Sequence, residues 1–359
     1  MRYAMIMAGG AGTRLWPMSR RSRPKQLLPF INGRSLLQIA GERLEGVVSP
    51  DRRFICTGES FRELIRESLP EYSDERILGE PVGRDTMNAV GFTAAVLGKD
   101  DPEAVFAVLT ADHIIEPQEE FSRAMKLGFD LVEDDASRFV TFAITPTHAA
   151  TGYGYVERGE EVTGFRGCFN AKRFVEKPDL ATAEEYVAAG TFGWNSGMFI
   201  FSAATFLEAM KRYHPEAYAG LMVIRAGWGT EDQQEVLEEV YPTLPRISVD
   251  YGVMEPASGD EQITVCIVPM GVSWLDVGSW PSFGETLTTD GEGNRTNARA
   301  MHLDSSDMLV VSDDPGHTIA TIGCDDLMVI HTRDATLICP KSEAQRVKEM
   351  AESAPPELR

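Results

Sequence analysis

The chain has 359 residues, 43% hydrophobic and 25% charged, with a formal net charge of −21. That length accommodates one large domain and a smaller one, and so acidic a surface argues against nucleic acid or an anionic membrane as a partner. No apolar run approaches the roughly 18 residues of a membrane span; no secretory leader is evident, and five scattered cysteines without a CxxC pair point to a reducing cytoplasm rather than a disulfide or zinc framework.

A short apolar segment over 3–7 predicts a strand that runs into Gly9, Gly10 and Gly12, followed by Thr13, Arg14 and a basic stretch up to Lys25. Glycine lets backbone N–H groups turn toward anionic oxygens with no Cβ in the way. Arg14 can hold two phosphate oxygens with its planar fork, and Lys25 adds a mobile point charge. The segment suits a triphosphate, yet it lacks the GK[ST] ending of a Walker A loop and the G-x-G-x-x-G dinucleotide fingerprint.

Further strands are predicted over 53–56, 77–79, 104–109 and 139–144, alternating with helices over 35–44, 59–68, 86–97 and 119–131. This alternation predicts a mostly parallel sheet with helices on both faces and ligands gathered at the carboxyl ends of the strands. Asp112 follows the apolar segment AVFAVL, where an acid can ligate a metal, bind a ribose or cap the helix beginning near Glu119. Residues 151–155 read as a glycine-rich turn entering a strand, with Gly154 allowing close backbone approach to a ligand hydroxyl. Residues 174–178 end a strand with the pair Glu176 and Lys177, suited to sugar hydroxyls and a phosphate or simply to a solvated surface. Residues 194–199 form a polar kink before an apolar strand, with Asn195 able to donate and accept.

Asp276, in the segment SWLDVGSW, is a second candidate acid, with Gly278 giving a tight turn. Spacing cannot pair it with Asp112; the expectation is that the fold does so and that both ligate Mg²⁺, which takes one or two carboxylates plus phosphate oxygens. Beyond 285 the character changes. Short β-rich stretches over 308–311, 318–322, 327–331 and 336–339 predict a few coils of a β-helix or a small meander. A closing helix over 342–352 and a frayed tail complete the chain. No GxSxG or Cys–His arrangement speaks for a protein nucleophile, so positioned cations with a metal fit direct phosphoryl-type displacement.

Taken together, GGAGTRLWPMSRRSRPKQ at 9–26, EPVGRDT at 80–86, TADHII at 110–115, TGYGYVERG at 151–159, FVEKPD at 174–179, WNSGMF at 194–199, SVDYGVME at 248–255, WLDVGSW at 274–280 and IGCDDLMVIHTRDATLICP at 322–340 resemble the sugar nucleotidyltransferase family. The LWP after the glycine loop, WNSGMF, VDYxVME and DVGSW resemble its mannose-1-phosphate guanylyltransferase branch. The resemblance implies a Rossmann-like nucleotidyltransferase domain with a mostly parallel central sheet over 1–285, and a left-handed β-helix domain over 286–359. It implies a cytoplasmic enzyme, expected as a homodimer, that transfers GMP from GTP to mannose 1-phosphate with Mg²⁺. Alternatives are another hexose 1-phosphate or nucleotide, or a catalytically silent sugar-nucleotide-sensing subunit.

By the same resemblance, Arg14 binds the departing pyrophosphate and Lys25 the α-phosphate, while Asp112 and Asp276 hold the metal. Gly9, Gly10, Gly12, Thr13, Glu80, Arg84 and Asp85 bind the nucleotide, and Gly154, Glu176, Lys177 and Asn195 the sugar phosphate. Two positions depart from the family pattern: Asp85 stands where many relatives carry Asn, and Gly252 where they carry Ala. The isomerase cupin that longer bacterial relatives append is missing, so no isomerase activity is expected.

Overall fold

A computed structural model of the chain describes residues 1–10 and 12–359. It forms two compact units: one of Met1–Gly9, Ala40–Thr110 and Ile115–Trp274, the other of Gly10–Ile39, Ala111–Ile114 and Leu275–Arg359. Among the described residues no helix is long and apolar enough to cross a membrane.

In the first unit, in chain order, lie β1 (Arg2–Met7), β2 (Arg53–Gly58), β3 (Ile77–Glu80) and β4 (Val105–Thr110). The short β5 (His113–Glu116) stands outside the main sheet, and β6 (Arg138–Ile144), β7 (Tyr155–Glu161), β8 (Phe169–Val175), β9 (Phe192–Ser202) and β10 (Thr264–Met270) follow. The nine-stranded order is β3-β2-β1-β4-β9-β6-β10-β8-β7. The half from β3 to β4 is parallel, as the alternation of strands and helices predicts. The whole sheet is mixed, however, which corrects the expectation of a mostly parallel one. β9 runs antiparallel to both β4 and β6, and β8 antiparallel to both β10 and β7. The cause is local: only seven residues join β7 to β8, too few for the crossover a parallel neighbour needs.

The core of this unit explains its apolar runs. Strands covered on both faces read as continuous hydrophobic sequence rather than alternation, as in VFAVLT of β4 and MFIF within β9. Phe106, Phe139, Phe199, Phe201 and Phe206 are fully buried together, with Phe139 edge-on to Phe201 at 4.8 Å. The helix Asp85–Asp100 is buried along most of its length, Met87 to Gly98.

In the second unit the strands Arg295–Thr296, Leu309–Ser312 and Leu327–His331 stack in parallel, and Thr336–Pro340 joins antiparallel. Arg299–Leu303 and Thr318–Ile322 form a second parallel face. Hydrogen bonds between successive coils join residues 19 apart, such as Cys324 N to Ser305 Oγ. The strand starts at 318 and 327 thus mark faces within a coil rather than whole coils, and the strand at 336 is a hairpin return. Leu15, Trp16, Leu28, Val277, Trp280, Met328, Ile330 and Val347 share one buried cluster. The tail is docked rather than frayed: Trp16 Nε1 donates to Leu358 O (2.8 Å), and Arg21 N to Arg359 O (3.1 Å).

Candidate active site

In the second unit the glycine loop is held by residues that follow it closely. Gly10 and Gly12 have φ of +84° and +68°, a region that favours glycine. A Cβ at Gly12 would lie 2.5 Å from Lys25 Cβ, so only glycine lets Lys25 pass this close. Ser19 Oγ donates to Gly12 O (2.6 Å), and Gln26 Nε2 donates to Gly10 O (3.0 Å). Thr13 and Arg14 enter a short 3-10 turn, Thr13–Leu15. Arg14 Nη1 donates to Gln345 Oε1 (3.1 Å). A Cβ at Gly278 would meet Arg14 Nη2 at 3.1 Å and Asp276 Oδ1 at 3.3 Å, so the guanidinium and this acid share one small space.

The same unit brings the two acids together across 164 positions of sequence. Asp112, His113 and Asp276 each offer a ligand atom within 4.8 Å of the others. Val277 N donates to Asp112 O (3.0 Å), pinning the two segments side by side. Lys25 Nζ lies 2.5 Å from Asp112 Oδ2. Asp112 does not cap the helix Gln118–Asp134, whose N-cap is Pro117. Burial pushes the Asp112 carboxyl up, but Lys25 and His113 outweigh it and hold the group below the ordinary carboxylate range. Asp276 goes the other way: burial and the charge of Asp112 raise it, against His113, Lys25 and Arg14. Two half-buried carboxylates this close, one driven toward holding a proton, are a place where a cation is favoured. Their oxygen donors fit a hard divalent cation such as Mg²⁺.

Of the remaining expected nucleotide residues, three lie in the first unit around the end of β3. Glu80 accepts from Tyr241 OH (2.6 Å), and burial raises its carboxyl. Arg84 donates to Pro242 O. Both are tied into the fold, whereas Val82, Gly83 and Asp85 are exposed. Asp85 has φ +66°, and its Oδ1 accepts from Thr86 N (2.8 Å). Asp and Asn are the non-glycine residues that tolerate this conformation best, so Asp in place of Asn meets the same backbone demand.

A second polar cluster in the first unit gathers Gly154, Glu176, Lys177 and Asn195. A Cβ at Gly154 would lie 2.5 Å from Glu176 Oε2 and 3.3 Å from Asn195 Cβ. Asn195 N donates to Gly154 O (2.8 Å), and Thr141 Oγ1 donates to Asn195 Oδ1 (2.9 Å). Lys177 Nζ donates to Glu176 Oε1 (2.6 Å). Residues 194–199 lie inside β9 rather than before a strand. There Gly197 has φ +69° and the register against β6 shifts, a bulge of the kind that re-aims a side chain.

Sequence reasoning missed Asp250. Asn195 Nδ2 donates to its Oδ1 (2.8 Å). Burial first, then the charge of Glu176, push the Asp250 carboxyl up to about 7, against Asn195 and Lys177. The available signal was an acid set among apolar residues in SVDYGVME. His113 likewise lies within 4.8 Å of both acids of the pair.

Residues 3–292 match the family described as Nucleotidyl transferase, and residues 298–353 match the MannoseP isomerase/GMP-like beta-helix domain. Mannose-1-phosphate guanylyltransferase of Escherichia coli K12 is 36% identical, covering 98% of this chain and 73% of that protein. The alginate biosynthesis protein AlgA of Pseudomonas aeruginosa is 35% identical over 96% of this chain and 70% of its own. Among solved structures, one described as a mannose-1-phosphate geranyltransferase from Thermus thermophilus superposes with a TM-score of 0.85 at 33% identity, covering 98% of each chain. A UDP-glucose pyrophosphorylase shares the fold at a TM-score of 0.51 and 17% identity, covering 80% of this chain and 97% of its own. By these likenesses, which cover nearly the whole chain, it belongs to the mannose-1-phosphate guanylyltransferase family of nucleotidyltransferases.

Proposed function

We propose that this nucleotidyltransferase transfers GMP from GTP to mannose 1-phosphate, giving GDP-mannose and pyrophosphate. The observation that carries the reading is the gathering of Gly12, Arg14, Lys25, Asp112 and Asp276 in one unit. A phosphate oxygen of the sugar attacks the α-phosphorus of GTP in line. The new P–O bond forms as the bond to the bridging oxygen of the β-phosphate breaks, and pyrophosphate leaves with that electron pair.

The chain aligns the reactants and neutralises charge, and no side chain acts as nucleophile. Backbone N–H groups of Gly9, Gly10, Gly12 and Thr13 and the Arg14 fork hold the triphosphate. Lys25 exchanges Asp112 for oxygens of the α-phosphate, where negative charge builds up. Asp112 and Asp276 would hold Mg²⁺, which would supply positive charge to offset that of the phosphate oxygens. Guanine is read at 80–85, where Val82, Gly83 and Asp85 are exposed and Glu80 and Arg84 brace the loop. Lys177 takes the sugar phosphate; Gly154, Glu176 and Asn195 take hexose hydroxyls, with Asp250 behind Asn195. The reading includes the division at 285/286, a left-handed coil in the second domain, a homodimer and a cytoplasmic setting.

Pyrophosphate release tests it, with Mg²⁺ and GTP, ATP, UTP or dTTP crossed against mannose, glucose, galactose and N-acetylglucosamine 1-phosphates. GTP with mannose 1-phosphate is expected to dominate. A different winning pair overturns the specificity and keeps the chemistry. No turnover with any pair would favour the sensing-subunit reading.

A further inference from the structure

The turn between Leu309–Ser312 and Thr318–Ile322 carries Asp314 and His317, and His331 closes the strand Leu327–His331 in the next coil. Ser312 pairs with His331 in the parallel ladder, so the turn lies directly beside that histidine. Asp314, His317 and His331 each offer one ligand atom within 4.8 Å of the others. The two imidazoles stack with centroids 3.9 Å apart and planes 16° apart. The proposed chemistry uses none of these residues. The other such grouping among the described residues is Asp112, His113 and Asp276.

Two of the three groups have one atom engaged and another to spare. Gly316 N donates to Asp314 Oδ1 (2.8 Å), which leaves Oδ2. Thr336 Oγ1 lies 3.0 Å from His331 Nδ1. With the Nδ1 proton directed at that hydroxyl, Nε2 keeps its lone pair, the usual way a metal-bound imidazole is oriented. The turn is fixed as well: Asp314 N donates to Ser312 Oγ (3.0 Å), His317 N to Asp314 O (3.2 Å) and Asp313 N to His331 O (3.3 Å). Metal–nitrogen bonds of about 2.0–2.1 Å need lone pairs that converge. His317 is exposed, which leaves its ring room to turn out of the stack toward such convergence.

We infer that Asp314, His317 and His331 form a surface site for a divalent transition metal of the zinc type. Two imidazoles with one carboxylate favour Zn²⁺, Ni²⁺ or Cu²⁺ over Mg²⁺, which prefers oxygen ligands. Three protein ligands leave coordination positions for water. A bound ion ties the 313–317 turn to the neighbouring coil, so it stabilises the folded chain by mass action.

The test is calorimetric titration of the full chain with Zn²⁺, together with Co²⁺ titration followed by visible absorption. It is run in an Asp276→Asn background so that the other cluster does not interfere. One ion per chain and a raised Tm are expected. His317→Ala and His331→Ala should each weaken binding by more than tenfold. Thr336→Val, which removes only the orienting hydroxyl, should weaken it about tenfold. Absence of Zn²⁺ binding in the background protein overturns the inference. So does undiminished binding in both histidine variants, with circular dichroism showing all proteins folded.

Discussion

Replacing Asp250 by Asn should stabilise the protein in a pH-dependent way. The folded carboxyl titrates at about 7 against an ordinary value of 3.8. At about 1.36 kcal/mol per pKa unit, keeping it ionised costs the folded state about 4 kcal/mol. The unfolded chain releases this proton near pH 4 and the folded chain near pH 7. Between those values the unfolded state binds fewer protons, so stability falls as pH rises through the window and is level above it. Asn retains an acceptor for Asn195 Nδ2 and relieves Glu176 of a like-charged neighbour. The advantage of the variant is therefore near zero at pH 4 and grows to a ceiling of about 4 kcal/mol by pH 8. Lost attraction to Lys177 is already counted against that ceiling in the titration. Scanning calorimetry of both proteins between pH 4.5 and 8.5 reads the effect as a Tm difference of several degrees at the alkaline end. A difference that does not change with pH refutes the reasoning, as does a variant less stable than the parent at pH 8.

Three further outcomes are expected. Asp276→Asn should lower Mg²⁺-dependent pyrophosphate release by about 10²-fold or more while the circular dichroism spectrum is unchanged; near-normal turnover would remove Asp276 from the metal site. Gly154→Ala places a methyl 2.5 Å from Glu176 Oε2, so KM for mannose 1-phosphate should rise about tenfold or more while KM for GTP stays nearly constant; equal changes in both would point to general misfolding. Met301, Leu303 and Ile322 are 58–70% exposed on the paired strands Arg299–Leu303 and Thr318–Ile322, an apolar patch consistent with self-association. Light scattering should give twice 39.6 kDa, and a monomer at working concentration would rule the dimer out.

The parallel half of the sheet was legible because each strand is a short apolar run followed by a helix with its own period. Strands β7 and β8, YVERGEE and FNAKRFV, were legible at one end each, where 151–155 enters a strand and 174–178 ends one, but not over their length. Most of their polar residues are exposed, so charge masks the strand pattern. The glycine loop announced itself because glycine and cation density is a local property. The acid pair did not: Asp112 and Asp276 meet through Val277 N and Asp112 O, a tertiary contact that no spacing encodes. Asp250 was hidden for the same reason. Its perturbation comes from burial and Glu176, neither of which is local.

The company kept by Leu15 and Trp16 bears on how the protein is made. They lie among the first residues to leave the ribosome, yet they bury against Trp280, Met328, Ile330 and Val347, which are among the last. Contacts of such long sequence separation form late, because a long loop must close before they reward it. The glycine loop therefore waits, unpacked, through most of translation. A nascent chain halted before the β-helix would carry the signature glycines and cations but no rigid cradle for them, and ribosome-bound fragments of increasing length should acquire protease resistance around Trp16 only once the final coils have emerged.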